Sequence, residues 1–389
     1  MTVDDRTSLR YPFCTEGHRL HPRMDELRRE GPVVRVTTNA GSPAWLVIGW
    51  EEARRVLRDP VFSRSQVADP GGPVQDAPIV APELLAVMDY LNRAGLGDEV
   101  RRSLTDLPDL PDAWLAGEAR AALGAMLRDG APGDLQRLAA RVAGRSMCRL
   151  LGLPYEDLPL LIPWADIDLT MYLPPADTER NWLELRDHLR ERLSSGDAAS
   201  SGLLPRLAAL NDASPAPLTR DEFANIAGVL FVAGYENLSS FLGTASVALL
   251  RRRISLLSGD LRGHVEELLR SCPLLGNALA RIVTRDVELA GVPLRAGELV
   301  LVDTDSANHD PAAFRDPHRF DPRRNPNPHV RFGHGPYYCV GAQVARRLAA
   351  IVLGELARLP GLRLAVPPEE IEWHRDRMAI MPKAVPVQW

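Results

Sequence analysis

FGHGPYYCVG at residues 332–341, followed at once by AQVARRLAAIVLGELARL at 342–359, decides how this 389-residue chain is read. The second stretch repeats apolar residues every three or four positions, the pattern of an amphipathic helix, and the first sets Cys339 just ahead of its start. The leading N–H groups of a helix lack partners within it and carry partial positive charge, so they stabilise a thiolate nearby. Gly335 and Gly341 would let the backbone turn tightly and approach a flat cofactor with no Cβ in the way.

A thiolate in such a loop is what a haem iron needs as proximal ligand if the O–O bond is to be cleaved, because sulfur pushes electron density through the metal. Taken alone, the loop also reads as a buried cysteine in a glycine-rich turn, or as a zinc site built from His329, His334 and Cys339. The zinc reading lacks a fourth ligand and the short spacing of closed zinc sites.

The rest of the composition narrows the classes. Hydrophobic residues at 45% and charged residues at 25% suit a water-soluble globular chain. A formal charge of −5 offers no basic excess for neutralising phosphates, so nucleic acid is not an expected partner. The polar start MTVDDRTSLRYPF lacks the basic-then-apolar order of a secretory signal, which predicts a cytoplasmic protein. Cys14, Cys148, Cys272 and Cys339 are too scattered for a CxxC site or a disulfide scaffold, and the first three read as buried small hydrophobes.

Along the chain, PVVRVTT (32–38) and AWLVIGW (44–50) predict a hairpin, followed by a helix over 51–58. Helical periodicity dominates from about 82 to 270, including 112–128 and 134–151. Strand-like alternation returns at 287–304, and two short strands are expected within 362–389. The long segment 219–253 would span roughly 50 Å as one helix, opened by a Thr219/Glu222 capping box. Asn225, Glu236, Asn237, Ser239 and Ser240 argue against placing it in hydrocarbon. The expected class is therefore mainly α with small β-sheets, in one domain over 1–389.

The loop resembles the haem-binding signature of cytochromes P450, FxxGxxxCxG, with Cys339 at the iron-ligand position. The resemblance extends over nearly the whole chain: YPF (11–13), AWLV followed by a helix and DPVFSR (59–64), AGYE (233–236), ANHDP (307–311) and RFDPRR (319–324) occur in the family's order. It implies the P450 fold, with the long helix crossing the oxygen-binding face of a haem b, iron protoporphyrin IX. Cys339 would ligate the iron, with Phe332, Gly333, Gly335, Tyr337 and Gly341 forming the loop around it. Glu267 and Arg270 resemble the ExxR motif, which would pair with Arg324 and lock that loop.

Within AGYEN, the small pair Ala233 and Gly234 would leave room for bound O₂, and Glu236 aligns with the acid of the family's acid–alcohol pair. The alcohol position, usually Thr, is Asn237, which has no hydroxyl proton to relay. That leaves three outcomes open: protons delivered by water and substrate groups, a chemistry that tolerates altered O₂ activation, or weak activity. Tyr337 stands where many bacterial members have a propionate-binding histidine. The family's HxxxR pattern meets Gly97 through Arg101, keeping Arg101 but not the histidine, and Arg281 resembles the other propionate-binding arginine.

The resemblance implies a monooxygenase acting on a small molecule of secondary metabolism with O₂, no membrane association, and electrons from a separate ferredoxin and its reductase. A carrier protein presenting the substrate is a further expected partner. Arg331, Arg346 and Arg347 would offer the redox partner a positive face. Two other readings are a haem enzyme that couples, cyclises or rearranges its substrate, and a P450-like auxiliary protein that has lost catalysis and supports an enzyme such as a glycosyltransferase.

Overall fold

The computed structural model describes residues 9–13, 17, 19–69, 71–75, 82–168, 170, 173–194, 201–252, 261–274 and 278–389. The extreme N-terminus, Cys14 and Arg253 lie outside them. The chain divides into two compact units, one of residues 1–78, 262–339 and 375–380, the other of 79–261, 340–374 and 381–389.

The first unit is built on a six-stranded mixed sheet in the order Arg10–Tyr11, Val33–Thr38, Pro43–Val47, Leu299–Val302, Leu279–Val283 and Phe62–Ser63. The expected hairpin pairs Val33 with Val47 and Thr37 with Pro43, and the helix after it covers Trp50–Arg58. In the LVLV strand, Leu299 and Leu301 join one buried cluster with Val34, Val36 and Leu46. Val300 and Val302 join another with Val33, Val47 and Val283. A strand covered on both faces reads as a continuous apolar run. The single sheet expected at 287–304 is divided: Val287–Leu289 and Val292–Leu294 form a separate ribbon, while Leu299–Val302 enters the large sheet beside a strand some 250 residues earlier.

Several recurring motifs find their use here. The Tyr11 hydroxyl of YPF donates to Asp303 Oδ2 at 3.0 Å. In ANHDP, Asn308 Oδ1 accepts from the Val330 N–H at 2.7 Å, and Asp310 Oδ2 accepts from the Trp50 N–H at 2.8 Å.

The second unit is helical around Arg220–Arg251, whose capping box joins Thr219 and Glu222 in both directions. Its most apolar window is the one stretch among the described residues long and apolar enough to cross a membrane, and 72% of that window is buried inside the protein. Glycines make the close packing possible. An added Cβ would lie 2.9 Å from Trp182 at Gly228, 2.4 Å from Met147 at Gly234 and 1.8 Å from Gln136 Oε1 at Gly243. Gln136 also donates to Ser239 at 3.0 Å, and Trp182 to Asn225 at 3.2 Å. A small sheet of Arg363–Leu364, Pro386–Gln388 and Gly133–Asp134 closes this unit.

Candidate active site

The ligand loop folds back on itself at the edge of the first unit. The Cys339 N–H donates to the Phe332 carbonyl at 2.8 Å, and inside that closure Gly335–Tyr337 forms a 3₁₀ turn. Gly333 and Gly335 have φ of +75° and +77°, left-handed values that penalise a side chain. A Cβ on Gly335 would meet the Arg58 Cα at 2.9 Å and the Leu57 carbonyl at 3.1 Å. This glycine therefore lets the loop lie on the end of the Trp50–Arg58 helix, a use not expected from the sequence. Gly341, at φ −83°, caps the Ala342–Ala357 helix in a conformation open to any residue, so the turn does not demand glycine there. The Cys339 thiol is exposed. His329 is hydrogen-bonded to Glu266 at 3.0 Å, and no cluster of three His, Cys, Asp or Glu side chains among the described residues is arranged to hold a metal ion.

Beneath the loop, Glu267 and Arg270 lie on one turn of the Leu261–Ser271 helix with both side chains fully buried. Arg270 donates to both carboxylate oxygens, at 2.9 and 2.7 Å, and to the Asn308 carbonyl at 2.9 Å. Arg324 adds its Nε to the same carboxylate at 3.2 Å and its Nη1 to the Arg315 carbonyl at 2.7 Å. The sequence reading did not foresee two more donors to Glu267, the Asp321 N–H at 3.0 Å and Asn327 at 3.3 Å. An i,i+3 pair is usually a solvated surface feature; here it is the buried anchor of the 308–327 segment.

Arg281 sits on the Leu279–Val283 strand, 5% exposed, with its guanidinium 5.6 Å from the centre of the Tyr337 ring. Among the described residues its guanidinium donates to the Ala280 carbonyl and pairs with no carboxylate. Burial and the nearby Arg64 charge lower its pKa to about 10, so it remains a cation at neutral pH. A buried cation held without an anion is costly.

In the middle of the long helix, Glu236 is buried. Ala233 is exposed, whereas Gly234 and Asn237 are half-buried. Asn237 Nδ2 donates back to the Ala233 carbonyl at 2.8 Å, one turn earlier on the same helix. An added Cβ at Gly234 would lie 2.4 Å from Met147, so the glycine makes room for that side chain.

The arginines are distributed differently from expectation. Arg331 is buried and committed to the Leu269 and Cys272 carbonyls, both at 2.7 Å, and to Asp305. It therefore cannot contribute to a positive surface. Arg346 and Arg347 are half-buried, and Arg347 pairs with Asp112. Arg101 is exposed and paired with Asp98 in its own helix.

The residues present fit a haem. A soft sulfur donor stands exposed on a hydrogen-bonded loop, and a buried arginine lacks the carboxylate that a propionate would bring.

Comparison with known proteins agrees. The Cytochrome P450 family profile matches residues 261–381. Nocardicin C N-oxygenase of Nocardia uniformis subsp. tsuyamanensis is 34% identical over 100% of both chains, and mycocyclosin synthase of Mycobacterium tuberculosis is 32% identical over 98% of each. The crystal structure of the LnmA cytochrome P450 hydroxylase from the leinamycin pathway of Streptomyces atroolivaceus matches with a TM-score of 0.85 and 34% identity, over 98% of this chain and 100% of that one. With its sulfur-bearing loop, buried Glu–Arg anchor and these relatives along its full length, the chain belongs to the cytochrome P450 superfamily, as a haem-containing oxidoreductase of the monooxygenase type.

Proposed function

We propose that the protein is a haem-thiolate monooxygenase that oxidises a small organic molecule, an intermediate of secondary-metabolite biosynthesis, as one catalytic domain in the cytoplasm. The carrying observation is the exposed Cys339 thiol on a loop closed by its own backbone at 2.8 Å. The cofactor is haem b, since the cysteine spacing contains no CxxCH for covalent attachment. Bound through Cys339, it supplies O₂ activation. Electrons come from a ferredoxin and its reductase, and a carrier protein is a candidate for presenting the substrate. The pathway assignment follows the leinamycin-pathway hydroxylase and nocardicin C N-oxygenase among the relatives.

The protein's own groups have separable tasks. Cys339 holds the iron, Arg281 neutralises carboxylate charge, and Glu267, Arg270 and Arg324 keep the loop's support rigid. Glu236, buried in the long helix, helps deliver protons. Asn237 has no hydroxyl through which to pass them on, so water and substrate groups complete the delivery.

The test is the reduced, carbon-monoxide-bound spectrum of the wild type and of Cys339→Ser. The wild type should show the red-shifted Soret band of thiolate ligation, and the variant should lose it. Identical spectra for the two would refute the assignment.

A second reading, coupling or ring closure without oxygen insertion, is favoured by Asn237, whose amide nitrogen is already committed to Ala233. Turnover under ¹⁸O₂ separates the two. A monooxygenase product carries one labelled atom, whereas a coupled product carries none.

A further inference from the structure

A second arginine stands close to Arg281. Phe62 pairs with Val283 and Ser63 with Ile282, and the chain leaves the strand at Arg64, which caps the 3₁₀ turn Ser65–Ala68 next to it. The two guanidinium carbons stand 5.3 Å and 5.6 Å from the centre of the same Tyr337 ring. Like charges at close range disfavour each other, the Arg64 charge lowers the Arg281 pKa, and Arg281 is buried with no carboxylate beside it among the described residues. A shared anion turns that repulsion into two charge-assisted hydrogen bonds. Tyr337, half-exposed, contributes an aromatic face to both cations where a histidine would have offered only one more donor.

We propose that Arg64 and Arg281 form a two-arginine clamp for a haem propionate, built around Tyr337, and that Arg64 takes over the anchoring lost with the missing histidines. This rests on the haem assignment above. Arg64 is the last residue of DPVFSR, and its place follows from the pairing of Phe62–Ser63 with a strand more than 200 residues later.

The experiment loads wild type, R64Q and R64K with haem or with haem dimethyl ester, whose propionates carry no charge, and follows transfer of each to excess apomyoglobin. R64Q should lose haem roughly tenfold faster or more, as expected for one lost charge-assisted hydrogen bond, with R64K intermediate. Loss of the dimethyl ester should be the same in all three. Equal acceleration for haem and its ester, or no acceleration for haem, would overturn the clamp while leaving the haem assignment intact. Failure of the wild type to take up either would overturn both.

Discussion

Glu267→Gln removes one negative charge from a carboxylate that accepts from Arg270 twice, from Arg324, from the Asp321 N–H and from Asn327. Every side-chain neighbour is a donor, so the new NH₂ group has to face another donor in any rotamer. Arg270, fully buried, keeps its charge and loses its counter-ion. Leaving one member of a buried pair uncompensated costs about 3–5 kcal/mol, a large share of a domain's usual total of about 5–15 kcal/mol. The assay is the urea midpoint together with hydrogen exchange of a peptide covering 319–328, where the Asp321 N–H reports the bond directly. The midpoint should fall sharply and Asp321 should lose protection, whereas Glu372→Gln, which breaks the exposed pair with Lys383, should leave both unchanged. A penalty below about 1 kcal/mol with unaltered exchange at Asp321 would refute the view that this carboxylate anchors the segment.

Gly335→Ala combines a φ of +77° with a Cβ 2.9 Å from the Arg58 backbone, and should cost about 1–3 kcal/mol in thermal unfolding of the apoprotein; Gly341→Ala, at φ −83°, carries no such conformational penalty. Gly234→Ala meets the flexible end of Met147 but gains about 1 kcal/mol of helix propensity, so its net effect should stay within about 1 kcal/mol, whereas the coupling of the two positions should appear in a double-mutant cycle of denaturation midpoints with Met147→Ala. Two buried groups oppose each other in pH dependence. Burial, then the charge of Asp305, raises Asp303 to about 6, so the folded state holds a proton that the unfolded state releases near pH 4, and stability falls as pH rises between the two. Burial lowers His309 to about 3, so the unfolded state holds the extra proton below about 6.5, and stability rises with pH over an overlapping window. Asp303→Asn should therefore shift the slope of stability between about pH 4 and 6 upward relative to wild type, and His309→Gln should shift it downward; two profiles parallel to the wild type would contradict both assignments.

Features set by local chemistry were legible in the sequence. The hairpin at 33–47, the capped helix after Thr219 and the helix following Cys339 all depend on residues within a turn or two of each other. What escaped depended on pairing across long stretches of chain. The insertion of Leu299–Val302 beside Pro43–Val47 gives no local signal, and neither does the packing that brings Arg64 and Arg281 to the same Tyr337 ring. Arg331 looked like a surface charge because its partners, two carbonyls at 269 and 272 and the carboxylate of Asp305, become neighbours only on folding. Gly335 was recognised as necessary for a different reason from the one the structure shows. Its flexibility serves the contact with Arg58, which periodicity in the loop does not reveal.

The notches at Gly228, Gly234 and Gly243 work like the wards of a lock. Three side chains, from Trp182, Met147 and Gln136, enter the Arg220–Arg251 helix at separate levels and index it both along and around its axis. A ratchet of one turn, about 5.4 Å, would require all three to withdraw at once, so piston-like sliding of this helix is blocked. Neighbouring segments that shift would do so against a helix held in register by these contacts.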